Sequence, residues 1–255
     1  NPIGESVTAG SVSFDRVTPG VLSIRQETDR AIINWEGFSI GAGELTKFIQ
    51  PGANAAALNR VLGGNPSEIY GTLRANGQLI LLNPAGVMVG PGGRVDAKGF
   101  IASTLDMSDG DFLSSAKLSL TGKSYAPVKN AGVVKGGNVY LVARQVENTG
   151  LIRASNAGLV GGTEVVLGEE GQGVAVLYGG PGVSVSNSGL ISAATAELRA
   201  ANDNVYALAI NNSGIVRATT VANEGGKIVL RAEQGILVNS GTLDASGEKG
   251  GEVQV

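Results

Sequence analysis

The chain has 255 residues, among them 40 Gly but no Cys and no His, and its 19 Lys and Arg against 22 Asp and Glu leave a net charge of −3. Without Cys or His it can form no disulfide, thiolate zinc site, iron–sulfur cluster or His-ligated metal or haem site, and no Ser-His-Asp or Cys-His catalytic set. Hydrophobic residues at 42% supply a sizeable core, made of Val, Ile, Leu and Ala because aromatics are only 4%. The slightly acidic balance points away from nucleic acid.

Residues 1–60 carry mixed strands, Ser11-Val12-Ser13-Phe14, Leu22-Ser23-Ile24-Arg25 and Ala31-Ile32-Ile33-Asn34-Trp35, the last with the only Trp. Residues 53–62 suit either a short helix or a strand. Asn65-Pro66-Ser67-Glu68 suits a turn, or a helix start with Pro at the first position and Glu at the third. Asn76-Gly77 suits a tight hairpin or a corner. The longest clear apolar block is Leu79-Ile80-Leu81-Leu82, far short of the roughly 18 residues of a membrane helix. Next comes Asn83-Pro84-Ala85-Gly86, with Asn, Pro and Gly at favoured positions of a type I turn. Asp106, Asp109 and Asp111 form the tightest acidic cluster and read as a solvated loop. Gly122-Lys123-Ser124 matches the end of a phosphate-binding loop, but the earlier Gly falls on Lys117 and the flanks read as strand. Gly41-Ala42-Gly43 lacks a third spaced Gly, and Gly179-Gly180-Pro181-Gly182 lacks the Asp of calcium-binding repeats. No metal site and no cofactor is expected.

The second half repeats. Val146-Glu147-Asn148-Thr149-Gly150-Leu151-Ile152-Arg153-Ala154 returns, in pattern, from Val185, Ile210 and Leu237, with a degenerate copy from Val128. The template is apolar-x-Asn-small-Gly-x-apolar-x-small. A second template, Gly-Gly followed by alternating apolar residues, starts at Gly136, Gly161, Gly225 and Gly250. The first two copies and the last two lie 25 residues apart. The tripeptide Asn211-Asn212-Ser213 is a glycosylation-type sequon that such corners generate by chance.

Short alternating runs divided by Asn and Gly are strands with one buried face, at a density that leaves no room for helices of ten or more residues. One unit of two or three strands fits one turn of a solenoid, each strand paired with its equivalent one turn away. Corner Asn and Gly are expected for their tolerance of positive φ, and stacked Asn side chains for hydrogen-bonded ladders. A propeller would need longer blades and aromatic signatures, and a leucine-rich repeat would need a spacing that is missing; a sandwich would also give short strands. The fold expected is all-β, a parallel β-helix. Residues 1–60 read as the N-terminal cap that an open solenoid end requires, and residues 61–255 as rungs of the same single domain. The chain stops inside the second template, at Val253-Gln254-Val255, so it is expected to be a piece of a longer protein.

The stretch 57–113 resembles the haemagglutination-type secretion domain of two-partner secretion exoproteins. The resemblance rests on Leu58-Asn59-Arg60-Val61, on Ser67-Glu68-Ile69-Tyr70-Gly71-Thr72-Leu73, and on Asn76-Gly77-Gln78-Leu79-Ile80-Leu81-Leu82-Asn83-Pro84-Ala85-Gly86-Val87. It continues in Val95-Asp96-Ala97-Lys98-Gly99-Phe100-Ile101-Ala102-Ser103-Thr104-Leu105-Asp106. The family includes filamentous haemagglutinins, high-molecular-weight adhesins and some haemolysins of Gram-negative bacteria. It implies a right-handed parallel β-helix with an N-terminal cap, and export by an outer-membrane β-barrel transporter whose periplasmic domains recognise this module. The protein would reach the cell surface or medium through the periplasm, its signal peptide removed, and its downstream rungs would stack on this domain outside the cell. A host-cell or matrix receptor would then belong to the full-length protein, and the fragment would be a monomer without enzymatic activity. The family's Asn-Pro-Asn-Gly-Ile recognition motif falls on Asn83, Pro84, Ala85, Gly86 and Val87, with Ala85 for Asn and Val87 for Ile. Its Asn-Pro-Asn-Leu motif survives only as Asn65-Pro66. Two other classes stay open on the sequence. One is a β-helical polysaccharide-cleaving enzyme, which would need paired carboxylates or clustered Lys and Arg in a cleft. The other is an autonomous carbohydrate-binding solenoid.

Overall fold

The computed structural model describes residues 1–114, 117–168, 174–219, 226–246 and 250–255. Gly225, at the head of one copy of the second template, lies outside them. From Ser67 on, the chain winds through three sheets, one strand in each per turn. Gln78–Leu82 in sheet 1, Val87–Val89 in sheet 2 and Arg94–Asp96 in sheet 3 make one turn, and Gly99–Ser103 opens the next in sheet 1. Among the described residues sheets 1 and 3 have ten strands and sheet 2 has seven. Pairing between turns is parallel, so the fold is a parallel β-helix with a rise of about 4.8 Å per turn.

Among the described strands of these three sheets, only the first break that rule. Ser6–Ala9 lies antiparallel on Arg30–Trp35, and Val12–Asp15 antiparallel on Val21–Gln26. Parallel stacking starts at once behind them, Val21–Gln26 on Leu45–Ile49 and Arg30–Trp35 on Ala56–Val61. The stack therefore reaches back into residues 1–60. The segment reads differently in sequence because its interior is aromatic, not because its pairing is. Trp35 is buried, with Phe14 and Phe38 edge-on at 5.8 and 5.4 Å, and its Nε1 donates to Asn59 Oδ1 at 3.0 Å. The ambiguous segment 53–62 is a strand, Ala56–Val61.

Inward-pointing Val, Ile, Leu and Ala from all three sheets form one continuous core. Along sheet 2 the Asn of the first template runs through it as a ladder. Asn130 donates its Nδ2 to Asn148 Oδ1 at 2.7 Å, Asn148 to Asn187 at 2.7 Å, Asn187 to Asn212 at 2.8 Å, and Asn212 to Asn239 at 2.7 Å. The first four are at most 1% exposed. A buried amide with both ends paired avoids the desolvation penalty that an unpaired one would carry.

The Gly of that template has a different cause from the one predicted. Gly132, Gly150, Gly189, Gly214 and Gly241 are absent from the residues with positive φ. A Cβ on any of them would stand 2.1–2.4 Å from a backbone oxygen of the preceding turn. These corners need a missing side chain, not an unusual backbone angle. The second template also needs correction. Gly161 does not repeat Gly136: the register pairs Asn138 with Asn156, 18 positions on, and Glu164–Leu167 leaves the solenoid altogether. The spacing of 25 between Gly136 and Gly161 is accidental, and turn length varies with what the corners carry.

Two excursions account for the two longest turns, from Gly99 to Asn138 and from Asn156 to Thr195. After Gly99–Ser103 the chain makes a short helix, Asp109–Ser114, and the strand Leu118–Thr121. After Asn156–Gly161 it makes the strands Glu164–Leu167 and Val174–Tyr178, which form an antiparallel side sheet with Leu118–Thr121. Helix and side sheet cover the outer face of sheet 1, burying Ile32, Leu58, Ile80, Leu82, Val142 and Val160 from behind. Sheet 1 is thus apolar on both faces, which explains the unbroken Leu79-Ile80-Leu81-Leu82 run.

Asn148→Ala should cost about 2–4 kcal/mol, since it strands the amides of Asn130 and Asn187 in the core. Asn211→Ala, on the outward side of the same sheet, should stay within about 0.5 kcal/mol. Urea unfolding of the two variants checks the difference. Gly189→Ala, whose Cβ would meet the Gly150 oxygen at 2.2 Å, should yield little or no soluble folded protein.

Candidate functional site

The turn from sheet 1 to sheet 2 carries the family-implied residues. Asn83 ends the sheet 1 strand and continues its ladder, its N–H donating to Ser103 O at 2.9 Å. Its carbonyl accepts from the Gly86 N–H at 3.0 Å, closing the expected β-turn. Its Oδ1 accepts from the Ala85 N–H at 2.9 Å. Its Nδ2 reaches down one turn, donating to Asn65 O at 3.0 Å and Ser67 Oγ at 2.9 Å. Asn83 is fully buried, so each of these bonds replaces water. Gly86 has φ +120°, a conformation that favours Gly, and its carbonyl accepts from Ser67 N–H at 2.9 Å.

Flanking turns brace the loop on both sides. Below it, Asn65 and Pro66 are exposed and lead into Ser67–Ile69, a strand of sheet 2 and not a helix. Above it, Ser124 Oγ donates to Pro84 O at 2.6 Å and Val87 N–H to Pro127 O at 3.2 Å. Beside Ser124, Tyr125 is 65% exposed and lies under the buried Arg144 guanidinium, 4.2 Å from ring centre to Cζ. That guanidinium also donates to Pro181 O at 2.9 Å, so a cation–π contact and a hydrogen bond fix successive corners.

The implied motif therefore divides in two. Asn83, Gly86 and Val87 are buried and shape the loop; Pro84 is exposed and Ala85 half-buried. With Asn65, Pro66, Leu62 and Tyr125 they make the outward surface of this corner. The sequence did not single out Ser67, Ser124 or Arg144. A lone Ser in a turn, as in Asn65-Pro66-Ser67 or Lys123-Ser124-Tyr125, is too common a pattern to signal a bond across turns, and Arg144 directly after the apolar strand Asn138–Ala143 was the one available sign. Asn76-Gly77 is a corner, joining strands of sheets 3 and 1.

The acidic cluster is more ordered than a solvated loop. Arg60 pairs with Asp106 at 3.0 Å and Asp109 at 2.8 Å, and Asp109 and Asp111 lie in the first turn of the short helix. Burial works against the Arg60 charge, but the hydrogen bonds and charges of the two Asp outweigh it and hold the pKa above its ordinary value. Both carboxylates remain about half exposed. A cleft of about 190 Å3 between sheet 1 and the side sheet, with Arg30, Gln78, Ile80, Phe112 and Lys117 among its walls, has no carboxylate among its described lining residues. Among the described residues no three acidic side chains gather as a metal site would require.

The TPS secretion domain family matches residues 4–254. A heme/hemopexin-binding protein of Haemophilus influenzae strain Rd is 33% identical over 262 residues, covering 97% of this chain and 29% of the relative. A second Haemophilus influenzae protein of that name is 42% identical over 98 residues, 38% of this chain and 11% of the relative. The chain thus spans under a third of these relatives' length. In structure it resembles the HMW1 secretion domain from Haemophilus influenzae, with a TM-score of 0.85 and 27% identity over 99% of this chain and 76% of that one. The filamentous hemagglutinin secretion domain shares the fold, with a TM-score of 0.62 and 14% identity over 97% of this chain and 98% of that one. A parallel β-helix capped by antiparallel strands, matched by the family from Gly4 to Gln254, makes this chain a member of the TPS secretion domain family.

Proposed function

We propose that the transporter partner implied by this family reads the corner formed by residues 62–66, 83–87 and 124–127. The observation that carries this reading is the bracing of one loop from both sides, which holds Pro84, Asn65 and Pro66 outward on a rigid edge. Buried Asn83 acts as a positioning residue for that surface. After passage through the periplasm, with its leader removed, the domain is the platform on which later turns stack, and it is a monomer that catalyses no reaction. Receptor binding belongs to the whole protein at the cell surface or in the medium. The names of the two Haemophilus relatives support capture of heme or hemopexin as that protein's task.

Pairing two variants tests the corner. Asn83→Ala should lower stability by about 2–4 kcal/mol, because it strips partners from Ser67 Oγ and the Ala85 N–H, and export should fall with it. Pro84→Ala combined with Pro66→Ala should cost about 1 kcal/mol or less and still cut export several-fold. The readouts are thermal unfolding of the purified chain and the secreted amount of the longer protein co-expressed with its transporter. Full export of the double Pro variant would dismiss the corner as a reading surface and leave Asn83 a structural residue.

A further inference from the structure

The outer face of sheet 3 carries a file of cations that the export reading does not use. The register places Lys47 beside Arg74, Arg74 beside Asp96, Asp96 beside Lys135, and Lys135 beside Arg153, one residue per turn. The inward neighbours Leu73, Val95, Val134 and Ile152 are buried, so this file points outward. Arg94 stands in the adjoining outward column at the turn of Asp96, in line with Thr72 and Val133. Four steps of about 4.8 Å spread the file from Lys47 to Arg153 over about 19 Å. Two turns further, Arg217 is paired with Asp244 at 3.0 Å and is neutralised.

Lys47, Arg74, Arg94, Lys135 and Arg153 have no partner among the described ion pairs and side-chain hydrogen bonds. Five unpaired cations against the single carboxylate of Asp96 is a marked local excess on a chain of net charge −3. The other two sheets do pair some of their cations: on sheet 2 Lys129 pairs with Glu147 at 3.0 Å, and on sheet 1 Arg199 pairs with Glu197 at 2.6 Å. A shallow cleft of about 140 Å3 opens where the cations crowd, with Arg74, Arg94, Asp96 and Lys135 among its walls.

We propose that this face binds a linear sulfated polysaccharide laid along the solenoid axis. The cations run in a narrow band at a regular rise, which suits a chain with anionic groups along its length. The half-buried Leu45, Val133 and Leu151 of the adjoining column supply an aliphatic floor for the carbon faces of sugar rings. An anionic bilayer would call for bulky apolar side chains to insert, and the only large exposed one on these columns is Ile215, at 39%. Single-stranded nucleic acid would call for stacking aromatics, and the outward columns of this sheet from Lys47 to Arg217 have none. Asp96 works against the ligand from within the file, so its removal should strengthen binding.

Immobilised heparin is the probe, and this 255-residue chain is the analyte, measured at about 50 and 200 mM salt. The wild-type chain should bind at the lower salt and weaken steeply at the higher. The triple variant Arg74→Ser, Lys135→Ser, Arg153→Ser should lose about tenfold or more in affinity, while Lys129→Ser on sheet 2 stays within about twofold. Asp96→Asn should bind about two- to threefold tighter, a gain that misfolding cannot mimic. Thermal unfolding confirms that each variant is folded. No binding to heparin by the wild type, or equal losses in the triple and Lys129→Ser variants, would overturn the proposal. So would phosphatidylglycerol vesicles or a single-stranded oligonucleotide that bind as tightly as heparin with the same dependence on the variants.

Discussion

Everything in this domain depends on each turn sitting directly on the one before it. The constraint is steric as much as hydrogen-bonded. At the corner between sheets 2 and 3 successive backbones come so close that a single Cβ would collide with the preceding turn's carbonyl. That contact sets the register, because a one-residue slip would put a side chain where only Gly fits and would turn every strand inside out. The buried Asn ladder beside it reinforces the same choice, since its amides meet only when the turns are aligned.

With alignment secured at one corner, the others are free to vary. The corner between sheets 1 and 2 uses that freedom: it holds the tight Asn83 turn, the two long excursions and the Arg144 contact with Tyr125. The excursions return to cover the outside of sheet 1, so the insertions add a second core and do not hang free. Arg60 and its two Asp partners fix the start of the first excursion to the sheet. Export recognition is proposed for the part of this corner where stacked loops leave small, rigid residues outward, and polysaccharide binding for the opposite kind of surface, a flat face of long charged side chains.

The solenoid was legible because its defining residues recur. Asn148, Asn187, Asn212 and Asn239, and even Asn130 in the degenerate copy, all take the place their pattern predicts. What sequence reasoning misread were features set by neighbouring turns. Gly161 resembles Gly136 in its own stretch of chain, yet only the facing strand decides that Asn156 is the true equivalent. The conformation of the corner Gly was misjudged for the same reason: the obstacle is another turn's oxygen, invisible to local preference. In the candidate site, turn chemistry foretold how Asn83 closes its loop, while its bond to Ser67 and the burial of half the implied motif depend on turns above and below. The cationic file escaped notice because Lys47, Arg74, Lys135 and Arg153 are scattered over more than a hundred positions and become neighbours only through the stack.

The amide ladder also has a direction. Every link runs the same way, Nδ2 of one Asn to Oδ1 of the Asn one turn later. Such a row has a head and a tail. At the head, the Asn130 oxygen is satisfied by the Gly132 N–H at 3.1 Å. At the tail, the Asn239 amide has only a 3.4 Å contact with the Gly241 carbonyl in its own turn. The column is therefore a polar wire with one sealed terminal and one open one. An Asn stacked beyond Asn239 would complete it by offering an oxygen alone, whereas at the sealed end the preceding turn already stacks Val89 on Asn130 and brings no side-chain donor.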